Sequence, residues 1–328
     1  MPRVGAIDCG TNSIRLLIAD IELAEGQAPV LTDVVREMEV VRLGYGVDRT
    51  GRIDPAAMER TLVAARRHAA ACEEHGVEAV RFVATSASRD ASNAGEFIEG
   101  VRAAFSHFAI APEVISGGEE AELSFTGATG DVVAAGHPGP YLVCDIGGGS
   151  TELVRGEATP TGTRVLQSLS ADVGCVRMTE RHEMSDPPTG DEITAATRDI
   201  EAAIDGIVAE VDIAGAGTLV GLAGSITTVT AHALRLPAYD PERIHLAVIA
   251  PERIAESAAE LLAMSREERA ALGFMHPGRV DVIGAGALVW DRVVARVAAA
   301  SPGVEVVTSE HDILDGIALS VAYRLRSA

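Results

Sequence analysis

The spacing of apolar and polar positions changes period several times along the chain, and each change marks an element. Residues 3–8 are predicted as a buried strand, 13–20 as a second and 30–43 as a third, joined by glycine-containing turns that favour an antiparallel meander. From 55 to 74 the period becomes helical. Asp54 supplies an N-cap, Pro55 suits the first helical position and Gly76 follows the end, with Met58, Leu62, Ala65, Ala69 and Cys72 as the apolar stripe. A strand at 80–84, a helix at 93–105, a strand at 113–115 and a helix opening at 119–126 follow. Residues 127–140, rich in Gly, Ala and Pro, are expected to form a domain crossing. Strands are predicted again at 141–145, 151–155 and 163–170, helices at 173–182 and 191–211, and a buried strand at 218–223. Helices dominate from 225 to 299, and a strand at 304–308 and a helix at 312–324 close the chain.

The second strand set restarts the first. Ile7–Leu16 lies over Cys144–Leu153 without a gap, matching Asp8 to Asp145, Gly10 to Gly147, Ser13 to Ser150 and Leu16 to Leu153. The choice is between two similar Gly-rich hairpins and a duplicated domain with a cleft between the copies.

Composition narrows the chemistry. The 328 residues are 47% apolar, enough for two cores, and no apolar run approaches a membrane span. No leader precedes the first strand, so a cytoplasmic location is expected. Cys9, Cys72, Cys144 and Cys175 form no C-x-x-C pair and read as buried thiols. The nine histidines show no H-E-x-x-H, and His311-Asp312 reads as a helix start. Basic residues number 27 against 48 acidic, a net charge of −21, which argues against nucleic acid as a general partner. No lysine is present, which excludes a P-loop, a protein kinase and a pyridoxal enzyme.

Several segments carry candidate chemistry. In Asp8-Cys9-Gly10-Thr11-Asn12-Ser13 a strand-end carboxylate meets a glycine turn whose N–H groups suit phosphate oxygens; a plain hairpin is the alternative. Asp145 and Glu152 straddle Gly147-Gly148-Gly149-Ser150, a turn flexible enough for close phosphate approach, and offer hard oxygen ligands for Mg²⁺; solvated acids on a flexible hairpin are the alternative. Ser116 and Glu119 fit a capping box, which leaves Glu120 either to activate water or to favour the helix dipole. Arg89 either reaches phosphate or pairs with Asp90 on the surface, and the pattern alone favours the surface pair. Gly224-Ser225 places N–H groups at a helix start, an anion site or a plain βα turn.

Taken together, IDCGTNSIRLL, ATSASRDASN, VISGGEEAELSFTG, VCDIGGGSTELV, DVGCVRMTE, GLAGSITTV and, more loosely, SEHDILDGIAL resemble the exopolyphosphatase / guanosine pentaphosphate phosphohydrolase (Ppx/GppA) family across essentially the whole chain. The resemblance implies an α/β fold of duplicated actin-like domains with mixed sheets and an active site in the cleft between them. The first domain would span 1–126, with 304–328 packing back on it, and the second 127–303. It implies Glu120 as the base for the attacking water, and Asp145 and Glu152 as metal ligands with help from Asp8, which lies opposite. Gly10, Thr11, Asn12, Ser13, Arg15, Gly147, Gly148, Gly149, Ser150, Gly224 and Ser225, together with Arg89, map onto its phosphate-binding segments. Mg²⁺ is the implied metal, with Mn²⁺ as a substitute and a monovalent cation admitted. Inorganic polyphosphate is the implied substrate and a homodimer the implied assembly. The end of the chain at Ala328 and its acidic balance favour short polyphosphate. Hydrolysis of pppGpp in the same cleft, a kinase of the same superfold and a non-catalytic polyphosphate or nucleotide sensor are the rival readings.

Overall fold

The structure is a computed structural model that describes residues 1–108 and 110–327. In chain order the first elements are β1 (Arg3–Cys9), β2 (Ser13–Glu22), β3 (Val30–Val40), α1 (Val47–Thr50), α2 (Pro55–Glu74), β4 (Ala79–Ala84), α3 (Ser86–Asp90), α4 (Ala94–Ala104), β5 (Glu113–Val114) and α5 (Gly117–Ala134). Next come β6 (Tyr141–Ile146), β7 (Thr151–Thr159), β8 (Gly162–Ala171), α6 (Cys175–Arg181), α7 (Gly190–Glu210), β9 (Thr218–Leu222), α8 (Ala223–Ala233) and α9 (Pro241–Ile244). The chain closes with α10 (Pro251–Ala263), α11 (Arg266–Ala270), α12 (Ile283–Ala300), β10 (Glu305–Thr308) and α13 (Ile313–Ser327). Two compact units result: Met1–Gly127, Pro160–Gly162 and Ile313–Ala328 form the first, Ala128–Thr159 and Thr163–Asp312 the second.

In the first unit the sheet order is β3-β2-β1-β4-β5. The predicted meander pairs antiparallel, and β4 adds to β1 in parallel. Side chains alternate across a strand. Ile7, Cys9, Ile14, Leu16, Ile18 and Phe82 therefore share one core with Ala64, Ala65 and Ala69 of α2 and with Phe97 and Val101 of α4. Val4, Ala6, Leu17, Ala19, Ile21 and Val83 share the opposite core with Leu123 of α5 and Ile313, Leu314 and Ile317 of α13. Each fully buried Val, Leu, Ile or Phe among them contributes about 1.5–3 kcal/mol, and each alanine methyl about 0.8 kcal/mol. The backbone of Leu123 lies against Gly316, where any side chain would collide with it.

Three predicted features differ. The buried face of α2 is Ala57, Thr61, Ala64, Ala65, His68, Ala69 and Cys72. Met58 and Leu62 sit at its margin, because the small residues allow close approach and Leu62 lies over Gly100 of α4. Residues 127–134, expected as a crossing, continue α5. Ala121, Ser124, Phe125, Ala128, Thr129 and Val132 keep a buried helical stripe that offsets the cost of Gly127 and Gly130, about 1 kcal/mol each. Residues 304–328 do not return to the first unit as one piece. Glu305–Thr308 pairs in parallel with β9 of the second sheet, so the return begins at Ile313; Ala328 lies outside the described residues.

The second sheet has the order β10-β9-β6-β7-β8, in which β6 pairs antiparallel with β7 and parallel with β9. Renumbered from its own first strand, this is the order of the first sheet, so the repeat seen in sequence extends to five strands. Its core joins β6 and β9 to α7, α8, α10 and α12 around the fully buried Trp290. Among the described residues no helix is long and apolar enough to cross a membrane.

Candidate active site

The two glycine turns are built alike. In the first, the Gly10 N–H donates to the Ser13 carbonyl (2.9 Å); in the second, the Gly147 N–H donates to the Ser150 carbonyl (3.0 Å). Each turn is buttressed from behind by the segment that follows its third strand. The Thr11 carbonyl accepts from Gly44, and the Asn12 carbonyl from Val41 and Arg42. The Gly147 carbonyl accepts from Cys175, the Gly148 carbonyl from Val176 and Arg177, and the Gly149 carbonyl from the Arg177 guanidinium (2.6 Å). With the carbonyls committed to one side, the turn takes a fixed shape. The close approach requires glycine in both buttresses. A Cβ at Gly44 would run into Thr11, and one at Gly174 would stand 2.6 Å from the Gly148 carbonyl. Sequence reasoning missed Gly44, Gly174 and Arg177. The usable signal was a glycine just after the third strand of each repeat.

The carboxylates at the strand ends differ between the copies. Asp8 stands directly opposite Arg15 across β1 and β2. Arg15 donates to Asp8 Oδ2 from Nε (2.9 Å) and Nη2 (2.6 Å), so Arg15, expected on phosphate oxygens, is bound to a carboxylate expected on metal. At the equivalent place in the second sheet, Asp145 stands opposite Glu152. Like charges directly opposed are destabilising, and these two are nearly buried, at 7% and 1% exposure. Glu152 accepts from the Ser170 hydroxyl (2.6 Å). A pair of hard, anionic oxygen donors held together in this way fits a divalent cation such as Mg²⁺.

Glu120 lies in the first turn of α5. The Ser116 hydroxyl accepts from the Glu119 N–H (3.2 Å), but the Glu119 carboxylate is engaged by Arg81 of β4, so only half of the expected capping box is used for capping. Arg81, itself buried, also binds Glu113 and donates to Ser320 of α13, which fixes the start of α5. Glu120 receives Arg89 Nη1 at 2.6 Å, and the same nitrogen donates to the Ile115 carbonyl (3.1 Å). The surface pair of Arg89 with Asp90 favoured by the pattern thus gives way to an Arg89–Glu120 pair, because α3 carries Arg89 inward from β4. Burial pushes the Glu120 carboxyl above its ordinary range; Arg89 opposes this, nearby Asp8 adds to it, and a hydrogen bond with Thr85 offsets part. A carboxylate raised toward neutrality is suited to take a proton from water. Asp8, Arg15, Arg89 and Glu120 are thereby gathered in the first unit, with Thr11 touching Ser86 (3.3 Å).

In the second unit, Gly224 and Ser225 open α8 after β9. Ala223 adopts φ 68°, a left-handed conformation costly for a residue with a Cβ and frequent where a backbone is shaped for function. Ser225 bonds to the Cys175 thiol, which links this helix start to the buttress of the Gly147–Gly149 turn. The Arg279 guanidinium lies directly on Gly224, beside Thr228. It is a cation that sequence reasoning did not assign, because it belongs to a short helical turn more than fifty residues away.

A family model described as the Ppx/GppA phosphatase family matches residues 19–321. The chain is 49% identical over 328 residues to exopolyphosphatase 2 of Mycobacterium tuberculosis, covering 98% of this chain and 99% of the relative. It is 30% identical over 289 residues to a guanosine-5'-triphosphate,3'-diphosphate pyrophosphatase of Aeromonas salmonicida, covering 87% of this chain and 53% of that protein. A crystal structure of an exopolyphosphatase-like protein superposes with a TM-score of 0.90 at 44% identity, covering 98% of this chain and 99% of that one. The two mixed five-stranded sheets with their helices are the duplicated actin-like α/β fold expected from the sequence.

Proposed function

We propose that this chain, which belongs to the Ppx/GppA phosphatase family, is an exopolyphosphatase that releases terminal orthophosphate from inorganic polyphosphate. The observation that carries the reading is the opposed pair Asp145–Glu152, placed where the first repeat has Asp8–Arg15. One copy of a duplicated motif sets an arginine opposite its carboxylate, whereas the other sets a second carboxylate there, a donor set that suits a divalent cation. The 49% identity to a protein named exopolyphosphatase 2, over nearly all of both chains, supports the substrate.

In this reading Asp145 and Glu152 would hold Mg²⁺ or Mn²⁺, and the bound ion would supply positive charge to offset that of the phosphate. Glu120, oriented by Arg89, positions a water and takes its proton as the oxygen attacks the terminal phosphorus. The bond from that phosphorus to the bridging oxygen breaks, orthophosphate departs, and the shortened chain keeps the bridging oxygen with its charge. The amides of Gly10–Ser13, Gly147–Ser150 and Gly224–Ser225 are assigned to phosphate oxygens, and Arg279 joins them. Arg15 serves by neutralising Asp8. The net charge of −21 disfavours long polyanions and favours short ones. A homodimer located in the cytoplasm completes the reading, and sedimentation measures the first of these.

A second reading, conversion of pppGpp to ppGpp, draws on the similarity to the Aeromonas salmonicida protein. One assay separates the two: orthophosphate release with Mg²⁺ from short polyphosphate, long polyphosphate and pppGpp, using Glu120→Gln as control. Release from polyphosphate, reduced roughly two to four decades in the variant, is expected. Release from pppGpp alone supports the second reading, and binding without turnover would leave a sensor and defeat both.

A further inference from the structure

Two histidines and an aspartate from three distant stretches converge in the second unit. Asp131 sits on α5, His245 follows α9, and His311 lies between β10 and α13. Asp131 Oδ2 is 2.6 Å from His311 Nδ1 and 3.3 Å from His245 Nε2, and one donor atom of each residue lies within 4.8 Å of the other two. The side chains are 45%, 23% and 40% exposed for Asp131, His245 and His311, so an ion with its waters can reach them. None belongs to the phosphate, metal or water-activating groups described above.

We propose that Asp131, His245 and His311 form a second metal site, selective for a borderline divalent ion of the Zn²⁺ class. Two imidazoles and one carboxylate meeting at a point, with open positions left for water, form a donor set typical of first-row transition ions. Mg²⁺ is a poor competitor, because it prefers oxygen ligands and gives up its water reluctantly. The spacing also fits. Bonds of about 2.0–2.2 Å from one ion put neighbouring donors roughly 3.0–3.5 Å apart; the 3.3 Å contact already has that spacing, and the 2.6 Å hydrogen bond needs to open by less than about 1 Å. The Glu310 N–H donates to His245 Nδ1 (3.2 Å) and turns Nε2 toward Asp131. Without an ion, Nε2 carries the ring proton and gives it to the carboxylate in a hydrogen bond. On binding, the ion takes the lone pairs of His245 Nε2 and His311 Nδ1, the ring protons move to His245 Nδ1 and His311 Nε2, and the bond from Glu310 is given up. That bond is long and neutral, whereas two metal–nitrogen bonds and one metal–oxygen bond form. The ion would clamp α5 to the segment that precedes α13.

The test uses the full chain without an affinity tag, stripped with chelator and titrated with Co²⁺ in excess Mg²⁺ while visible absorption is followed. One equivalent of Co²⁺ should produce ligand-field bands that Zn²⁺ removes. Asp131→Asn and His311→Ala should each weaken binding at least about tenfold and leave Mg²⁺-dependent orthophosphate release unchanged. His245→Gln, which keeps an acceptor for the Glu310 N–H, should also lose the bands while melting like the metal-free wild type. Absence of stoichiometric Co²⁺ binding by the wild type overturns the proposal whatever the variants do. So do bands that survive Asp131→Asn and His311→Ala, or bands abolished by Mg²⁺, which would put the ion on other carboxylates.

Discussion

Glu152→Gln removes one of two carboxylates that face each other across β6 and β7. Directly opposed side chains have Cβ atoms about 5 Å apart, and at an effective dielectric of about 20 two unit charges at that distance repel by roughly 3 kcal/mol. Relaxation reduces this, so the variant should be more stable than the wild type by about 1–3 kcal/mol when no divalent ion is present. Glutamine retains an acceptor for the Ser170 hydroxyl, so that contact is preserved. Arg15→Gln is the matching change at the same place in the first repeat, and it should act in the opposite direction. It strips the counter-charge from Asp8, whose side chain is 7% exposed, and should cost about 3–5 kcal/mol. Urea unfolding in EDTA and again in millimolar Mg²⁺ measures both. Wild type should gain stability from Mg²⁺, and Glu152→Gln should gain little and lose turnover. If Glu152→Gln is less stable than wild type in EDTA, or gains as much from Mg²⁺, the opposed carboxylates are not a cation site and the reading built on them fails.

Glu120 must be ionised to take a proton, and its pKa is raised, so kcat/KM should fall on the acid side at a pH above the ordinary carboxylate range. Arg89→Gln removes a group that lowers that pKa and should move the limb higher still; an unmoved limb would sever Arg89 from Glu120. His68 on α2 is buried and its pKa is pushed down to about 4, chiefly by burial, so the folded state resists a proton that the unfolded chain accepts at its ordinary 6.5. Stability is then complete above that ordinary value and is lost as pH falls from it toward about 4, by about 2 kcal/mol near pH 5. The difference between His68→Leu and wild type in urea unfolding should shift by that amount between neutral pH and pH 5, and a constant difference would show that His68 is not the group responsible. Gly174→Ala sets a methyl against the Gly148 carbonyl and should cost about 1–3 kcal/mol, with KM rising more than kcat falls. A variant with wild-type melting and KM would remove the buttress from the argument.

Much of the architecture was determined by local sequence. The meander of β1, β2 and β3, the capped start of α2 at Asp54 and Pro55, and the two glycine turns follow from short-range periodicity and turn chemistry, which act within a few residues. The repeat of Ile7–Leu16 in Cys144–Leu153 already paired Asp8 with Asp145 and set Arg15 against Glu152. What decided the meaning of that substitution was strand register, since only pairing brings residues 7 apart face to face.

The remainder lay in contacts between segments far apart in the chain. Arg89 beside Asp90 looks like a surface pair until α5 delivers Glu120 to it. Residues 127–134 look like a breaker-rich crossing until burial of Ala128, Thr129 and Val132 offsets their glycines. His311-Asp312 does stand at the start of α13, but only the fold brings His245 and Asp131 to that start. In each case the local preference is worth no more than about 1 kcal/mol, less than a buried helix face contributes or than leaving one member of a buried charge pair without its partner costs. Sequence alone therefore specified the elements and the family's motif positions in this chain. Tertiary structure decided which charges meet, because that energy is gained only when distant segments pack.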